Sequence, residues 1–359
     1  MRKLASIQEI TALDPIPNKD RIVLATVLGW KVIVTKDFQV GDKCIYVEID
    51  SQLPEKPEFE FLRSKKFRIR TMKMGGVLSQ GICFPLSILP PGEYEVDQDV
   101  TELLGVTKYD PEEVEGYEPI KTSKATKKWY QKIWLMKYKW YRRLVGANVR
   151  ETSGFPSFIS KTDETRIQTA PWFLKDKNNK YVLTEKVDGT SMTACLVRHK
   201  RFLLKDKFEY IVCSRNQRLA RDNSIYWEVS DKYNIENALK NLIGSRDWIA
   251  IQGECIGPKV QGNKYRKTEP ELYVFNLILP TFRLGSVKAK NILEPFGFNF
   301  VPIVNENYTL PDTVEEMLAE AHGQSVLGDT LREGLVVRSK AGTISFKAVD
   351  PEFLLHYNL

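Results

Sequence analysis

The sequence predicts an α+β protein in which a small N-terminal β-barrel precedes a larger domain built on antiparallel sheets. The 359 residues exceed the usual size of one domain. Runs of β-forming residues crowd the first hundred positions, and short β-like runs then alternate with polar or helical stretches. We therefore expect a barrel over 1–105, a linker over 106–150 and a second domain over 151–359.

The barrel is predicted from five β-rich runs separated by turn signals such as Gly29 and Gly75-Gly76. An OB-like barrel is the economical choice, because an OB-fold has five strands and commonly binds oligonucleotides. The pattern alone equally allows another small barrel or sandwich. The five runs are 21–28, 30–35, 44–49, 67–72 and 81–86.

Charge is distributed unevenly over the linker. Residues 109–118 contain five acidic residues, whereas 119–150 contain ten Lys and Arg and no Asp or Glu. Since the whole chain carries +7 and 119–150 carries +10, the residues outside 119–150 carry −3. Apolar residues between 126 and 145 recur at helical spacing, which predicts a basic amphipathic helix that either docks by its aromatic stripe or contacts phosphates. The stripe comprises Trp129, Ile133, Met136, Trp140 and Leu144.

The second domain is predicted from seven strand-like runs and two helical ones. Such alternation without an internal repeat favours an α+β domain on antiparallel sheets. The strand-like runs are 181–184, 192–197, 210–213, 248–253, 272–279, 335–338 and 344–347, and the helical runs are 231–243 and 313–322.

Composition excludes several classes of protein. No apolar stretch approaches the ~20 residues that a bilayer requires, and no apolar segment follows the N-terminal basic residues, so we expect neither membrane insertion nor secretion. The five cysteines and three histidines are scattered, which argues against disulfides, a zinc site or a His-based triad. We expect free thiols, a reducing cytoplasmic or nuclear location, and any metal held by carboxylates and water.

The strongest chemical signal is Lys186-Val187-Asp188-Gly189-Thr190, which follows the strand-like run 181–184. A lysine acts as a nucleophile only when deprotonated, and its ordinary pKa is about 10.4. A metal ion oriented by Asp188 through water would favour the free amine, and Gly189 would let the backbone approach a nucleotide. An ordinary turn between strands would explain the Asp-Gly pair alone.

This segment resembles the nucleophile motif of the covalent nucleotidyltransferase superfamily, which comprises ATP-dependent ligases and mRNA capping enzymes. Five further segments resemble the superfamily's other motifs and occur in the expected order. They are Ser214-Arg215-Asn216, Gly253-Glu254, Leu272-Tyr273-Val274-Phe275-Asn276, Glu333-Gly334-Leu335-Val336-Val337 and Ser345-Phe346-Lys347. Six ordered matches are far more specific than one.

The resemblance implies that Lys186 becomes bonded to AMP from ATP, with Mg²⁺ or Mn²⁺ as the metal. Phe275 would stack on adenine, Lys347 would contact the α-phosphate, and Arg215 would bind a phosphate of the nucleotide or of RNA. The implied nucleotide-binding residues are Lys186, Gly189, Arg166, Arg215, Glu254, Phe275, Glu333 and Lys347. The implied metal residues, acting through water, are Asp188, Glu254 and Glu333.

Domain order separates the branches of this superfamily. DNA ligases and capping enzymes typically carry an OB domain after the last motif, whereas the predicted barrel lies in front here. This order, and the segment 155–168, resemble the nick-sealing RNA ligases of the Deinococcus and Naegleria type, with Arg166 as a candidate phosphate contact. Related ligases have a second lysine where this chain has Val349, so the front domain could supply phosphate contacts, with Lys73 and Gln80 as candidates.

We therefore expect a monomeric ATP-dependent ligase that joins RNA 3'-hydroxyl and 5'-phosphate ends through lysyl-AMP and AMP-capped RNA. Two alternatives stay open at the level of sequence. One is a capping-type guanylyltransferase, which would prefer GTP. The other is a non-catalytic RNA-binding protein, which would bind RNA with steep salt dependence.

Overall fold

A computed structural model describes residues 3–109, 154–201, 204–221, 223–340, 342 and 344–359. The predicted basic amphipathic helix and most of the linker lie outside these residues. Within the described part of the chain, no helix is long and apolar enough to cross a membrane.

Residues 5–85 contain an antiparallel sheet in the order β3-β2-β1-β4-β8, and two further two-stranded sheets, β5-β9 and the hairpin β6-β7, accompany it. The long strand β1 pairs with β4 through its first half and with β2 through its second half, as a curled sheet requires. The bounds are β1 Ala5–Pro15, β2 Ile22–Val27, β3 Trp30–Thr35, β4 Lys43–Val47, β5 Ser51–Gln52, β6 Thr71–Met74, β7 Val77–Gln80, β8 Ile82–Pro85, α1 Thr101–Leu104 and β9 Thr107–Lys108.

Four of the five strands expected here are confirmed. The fifth, predicted over 67–72, is wrong in its first half, because Lys66 and Phe67 adopt left-handed backbone conformations before β6 begins. Strand β1 was not predicted. Its sequence mixes buried apolar residues with polar ones without the regular alternation that marks a half-buried strand.

The second half contains two sheets, with orders β10-β20-β19-β11-β18 and β13-β12-β14-β15-β16, and β17 pairs with β15. All seven predicted strand-like runs fall in these sheets, which confirms the α+β class. The bounds are β10 Thr165–Arg166, β11 Tyr181–Glu185, β12 Thr190–Arg201, β13 Leu204–Cys213, β14 Trp248–Ile256, β15 Glu271–Leu279, β16 Phe282–Arg283, β17 Asn299–Phe300, β18 Ile303–Tyr308, β19 Gly334–Ser339 and β20 Ser345–Val349.

Helices flank these sheets. The helix predicted over 231–243 is in fact two helices, because Asn234 has a left-handed backbone that ends the first and begins the second. The helix predicted over 313–322 is confirmed, and Thr313 and Glu316 close its N-terminus in a reciprocal capping box. The bounds are α2 Ile225–Lys232, α3 Ile235–Leu242, α4 Ser286–Leu293, α5 Val314–Ala321 and α6 Pro351–His356.

The core of the front sheet also takes in residues from the other end of the sequence. Val349, Phe353 and Leu354 are buried in the same apolar cluster as Trp30 and Tyr46 of the front sheet. Burial of this kind stabilises both partners. Helix α6 therefore ties the front sheet to the sheet that contains β20.

Candidate active site

A cavity of about 340 Å³ lies where loop and β9 residues that follow β4 in the chain converge with residues of both later sheets. This volume is in the range of small-molecule sites. The cavity wall includes every residue that the sequence analysis assigned to nucleotide or metal binding, although their individual roles stay predictions. These residues are Arg166, Lys186, Asp188, Gly189, Arg215, Glu254, Phe275, Glu333 and Lys347.

Strand pairing brings Lys186 to Glu333. Strand β11 ends one residue before Lys186, and β19 begins one residue after Glu333. The two strands are antiparallel neighbours, and the backbone N–H of Lys186 donates to the carbonyl of Gly334 at 2.9 Å. The Nζ atom of Lys186 consequently lies 2.5 Å from Oε2 of Glu333.

The charge state of Lys186 is set by opposing influences. Burial lowers the pKa of Lys186, but the carboxylates of Glu333, Glu254 and Asp188 together outweigh it and hold the pKa above its ordinary value. The amine in this arrangement is therefore protonated and paired. Neutralising the carboxylates would leave burial as the main influence, and the free amine would then be favoured.

Two of these carboxyls have strongly raised pKa values. Burial, followed by repulsion from Glu333, raises the pKa of Asp188 to about 6, although Lys264 opposes this by forming an ion pair with Asp188. Burial raises the pKa of Glu254 to about 7, and its Oε2 accepts a hydrogen bond from Ser191 at 3.0 Å. Such crowding of acidic groups favours the arrival of a cation.

The donor set suits a hard divalent cation that keeps its water. Asp188, Glu254 and Glu333 offer only carboxylate oxygens, which Mg²⁺ and Mn²⁺ prefer. Among the described residues, no group of three or more His, Cys, Asp or Glu side chains lies close enough to hold a metal ion directly. The residues present are therefore compatible with water-bridged binding and not with a closed protein cage.

Phe275 enters the cavity because of a β-bulge. Strand β14 pairs with β15 at Gln252–Asn276 and then at Gly253–Val274, so Phe275 is the extra residue between them. Bulges commonly re-aim a side chain beside an active site. The guanidinium of the buried Arg338 lies 5.8 Å from the centre of the Phe275 ring and donates a hydrogen bond to the backbone carbonyl of Phe275 at 2.7 Å. These two contacts fix the position of Phe275.

Basic side chains form another part of the wall. Strands β10 and β20 are parallel neighbours, and Arg166 pairs in register with Lys347. The Nζ of Lys347 lies 3.2 Å from Asp163, which Arg215 approaches to 3.5 Å. Arg166 is 5% exposed and donates to Asp50 at 2.7 Å, yet its Nε and Nη1 have no hydrogen-bond partner among the described residues. Leaving such buried donors unpaired costs free energy.

The front domain reaches the cavity through residues that the sequence analysis missed. The candidates Lys73 and Gln80 are not among the residues of the cavity wall: Lys73 lies near Glu352 on the surface, and the buried Gln80 bonds to Thr71. The cavity-wall residues from this end of the chain are Asp50 and Arg68 of the front domain, and Lys108 and Tyr109 just after residue 105, where β9 pairs with β5. The basic run 65–70 was a signal for Arg68, whereas nothing in the sequence singled out the others.

Gly189 is required by close packing. A methyl group at this position would lie 2.4 Å from the carbonyl oxygen of Cys255 and 2.8 Å from Ile256. Both neighbours belong to β14, against which the loop after β11 rests. From sequence, we expected a glycine here because it lets the backbone approach a nucleotide closely. That reason stays a prediction, in addition to the packing requirement.

Comparisons with known proteins agree with this geometry. An OB-fold domain model matches residues 4–86, and an RNA ligase model matches residues 179–349. No curated protein sequence matches the chain. Among solved structures, the Naegleria gruberi RNA ligase with pyrophosphate is 29% identical, with a TM-score of 0.79 over 100% of this chain and 99% of that one. A variant of that ligase with ATP and Mn is 29% identical, with a TM-score of 0.78 over 99% of each chain.

Proposed function

We propose that this chain, an ATP-dependent RNA ligase with an OB-fold domain in front of the ligase domain, seals RNA breaks through a covalent bond between Lys186 and AMP. The observation that carries the proposal is the position of the Lys186 amine. It lies in one cavity with three carboxylates, an aromatic ring and buried cations, in an arrangement that can activate an amine and hold a triphosphate.

In the first step, the lone pair of Lys186 Nζ attacks the α-phosphorus of ATP. A nitrogen–phosphorus bond forms and the nitrogen gives up one proton to solvent, the bond from the α-phosphorus to the oxygen bridging the β-phosphate breaks, and pyrophosphate leaves with those electrons. Lys347 stabilises the charge that develops on the α-phosphate. Phe275 stacks on adenine and fixes the direction of approach.

The leaving pyrophosphate is held by the cations at the front of the cavity. Arg166 and Arg68 line the cavity there, and each has at least one buried guanidinium nitrogen without a hydrogen-bond partner among the described residues. Guanidinium groups match phosphate oxygens in charge and shape. Asp50 pairs with Arg166 and lies 4.0 Å from Arg68, so it keeps both side chains in place before ATP binds.

In the second step, an oxygen of the RNA 5'-phosphate attacks the phosphorus of lysyl-AMP, and the amine of Lys186 leaves and takes up a proton. In the third, the RNA 3'-hydroxyl attacks the 5'-phosphorus, and AMP leaves as the phosphodiester forms. We assign Arg215, whose side chain is 41% exposed, to the RNA phosphate, because it is the most accessible of the cavity's predicted cations.

When bound, Mg²⁺ or Mn²⁺ neutralises the carboxylates and the phosphate under attack. Asp188, Glu254 and Glu333 would hold that ion through water, and with their charge neutralised they would no longer favour the protonated form of the buried Lys186 amine. We also propose that the expected division at 1–105, 106–150 and 151–359 holds, that the basic segment 119–150 contacts the RNA backbone, and that the protein acts as a monomer.

Two assays test this proposal. Wild-type protein with Mn²⁺ should retain label from α-labelled ATP in preference to α-labelled GTP, and should seal a nicked RNA duplex. Lys186→Ala should neither take up label nor seal the AMP-free nick, yet it should still join a nick that already carries AMP on its 5'-phosphate. Preferential labelling by GTP would indicate a capping enzyme, and labelling by neither nucleotide would leave only a binding protein.

A further inference from the structure

The loop between β14 and β15 is an unusually constrained part of the chain. Four of its non-glycine residues have left-handed backbone conformations, each of which costs free energy that the surroundings must offset. The side chain of Asn263 bonds to both the N–H and the carbonyl of Lys267, at 2.9 Å each, and so holds the loop closed. The four residues are Lys259, Gln261, Asn263 and Arg266.

Two consecutive residues of this loop, Lys264 and Tyr265, contact Asp188. The hydroxyl of Tyr265 accepts a hydrogen bond from the backbone N–H of Asp188 at 2.8 Å, and Nζ of Lys264 forms an ion pair with Oδ2 of Asp188. Both loop side chains are buried, with Lys264 at 9% and Tyr265 at 5% exposure. A buried lysine needs a counterion, and Asp188 supplies it.

Helix α6 and the residues after it fix Lys264 from the other side. The ammonium lies 4.9 Å from the centre of the Tyr357 ring and 5.6 Å from that of Phe353. Both distances allow cation–π attraction. The Tyr357 ring is itself held, because its hydroxyl lies 2.5 Å from Oγ1 of Thr330. Lys264 therefore has one defined position between two aromatic rings and one carboxylate oxygen.

We propose that Lys264 is a positioning residue for the divalent metal. By holding Oδ2 of Asp188, a residue of the cavity wall, it fixes the carboxylate and leaves Oδ1 for a metal-bound water. Lys264 does not touch the nucleotide or the reacting atoms in this proposal, which rests on the function proposed above. Removing a residue that orients a metal-binding group typically weakens metal binding ten- to a hundredfold.

The chain offers a closely matched control. Lys267 lies three residues further along the same loop, is 19% exposed, pairs with Glu271 at 3.2 Å, and lies 5.8 Å from the centre of the Tyr273 ring. Lys267→Met removes the same kinds of contact as Lys264→Met but none with Asp188. Lys264→Arg keeps the charge and tests whether the contact can be rescued.

The test is a measurement of Mn²⁺ binding. Free Mn²⁺ is quantified by electron paramagnetic resonance in the presence of α,β-methylene-ATP, which cannot transfer AMP. Lys264→Met should raise the dissociation constant for Mn²⁺ about ten- to a hundredfold. Lys267→Met should bind as wild type does, and Lys264→Arg should fall between them. Thermal unfolding confirms that each variant folds.

Unchanged or tighter Mn²⁺ binding by folded Lys264→Met would overturn the proposal, and tighter binding would identify Lys264 as a competing cation instead. If that variant does not fold, Tyr265→Phe replaces it, because it removes only the hydroxyl that holds Asp188. Wild-type Mn²⁺ affinity in Tyr265→Phe would then refute the positioning role of the loop. Labelling of wild-type Lys186 by ATP, measured in parallel, separates failure of this inference from failure of the proposed function.

Discussion

Gly189→Ala is a one-methyl change whose effect can be worked out from the packing of the loop after β11. The added carbon would lie 2.4 Å from the carbonyl oxygen of Cys255, whereas real contacts essentially never fall below 3.0 Å. The loop or β14 must therefore move by about 0.6 Å. Overpacking of this kind costs about 1 to 3 kcal/mol of the free energy of unfolding.

The same movement should reduce catalysis far more than stability. Lys186 and Asp188 lie on the loop that has to shift, and Glu254 lies on the strand it presses against. A displacement approaching 1 Å can cost about a hundredfold in rate. We expect lysyl-AMP formation to slow about thirty- to a hundredfold, measured as the single-turnover rate of label transfer from α-labelled ATP at saturating Mn²⁺.

Gly154→Ala is the control, because a methyl group there meets no atom within 4 Å and the backbone is not left-handed. It should label at the wild-type rate and unfold at the wild-type temperature. A folded Gly189→Ala protein that labels as fast as Gly154→Ala would refute the close packing of the loop on β14, and with it the geometry inferred for Asp188.

Three further predictions concern single side chains of the cavity. The raised pKa of Glu254 means that the folded state binds more protons than the unfolded state, so the free energy of unfolding should fall as pH rises from about 4.5 to about 7. Glu254→Gln should flatten that fall, measured by urea titrations at a series of pH values. The same pH dependence in wild type and variant would contradict this prediction. Phe275→Leu should raise the KM for ATP about two- to tenfold, whereas Phe173→Leu, outside the cavity wall, should not. Lys347→Met should slow labelling about a hundredfold or more, with the exposed Lys340→Met as control.

Sequence predicted the chemistry of the site better than its surroundings. Lys186, Glu333 and Phe275 were identified from motif order, and the pairing of β11 with β19 and the bulge in β15 explain why they converge. Motif residues can be identified from sequence because the reaction requires a particular residue type at each of these positions. Their neighbours are not, since a residue such as Lys264 is ordinary until folding places it against Asp188.

The parts that sequence did not predict share a physical cause. Strand β1 depends on its pairing with β2 and β4, and no local periodicity records those partners. The front-domain wall of the cavity is a similar case. Arg68 and Tyr109 both line the cavity, and the guanidinium carbon of Arg68 lies 3.9 Å from the centre of the Tyr109 ring. Tertiary packing alone brings these two residues together.

The central claim is that the amine of Lys186 becomes bonded to AMP. Its most direct test is mass spectrometry of peptides from protein incubated with ATP and Mn²⁺ and kept at neutral or alkaline pH, because a phosphoramidate bond is lost in acid. Our account predicts one added AMP, on the peptide that contains Lys186 and on that residue within it, and its release when pyrophosphate is supplied. An AMP adduct on any other residue, or a fully unmodified Lys186 in protein that still seals RNA, would contradict it.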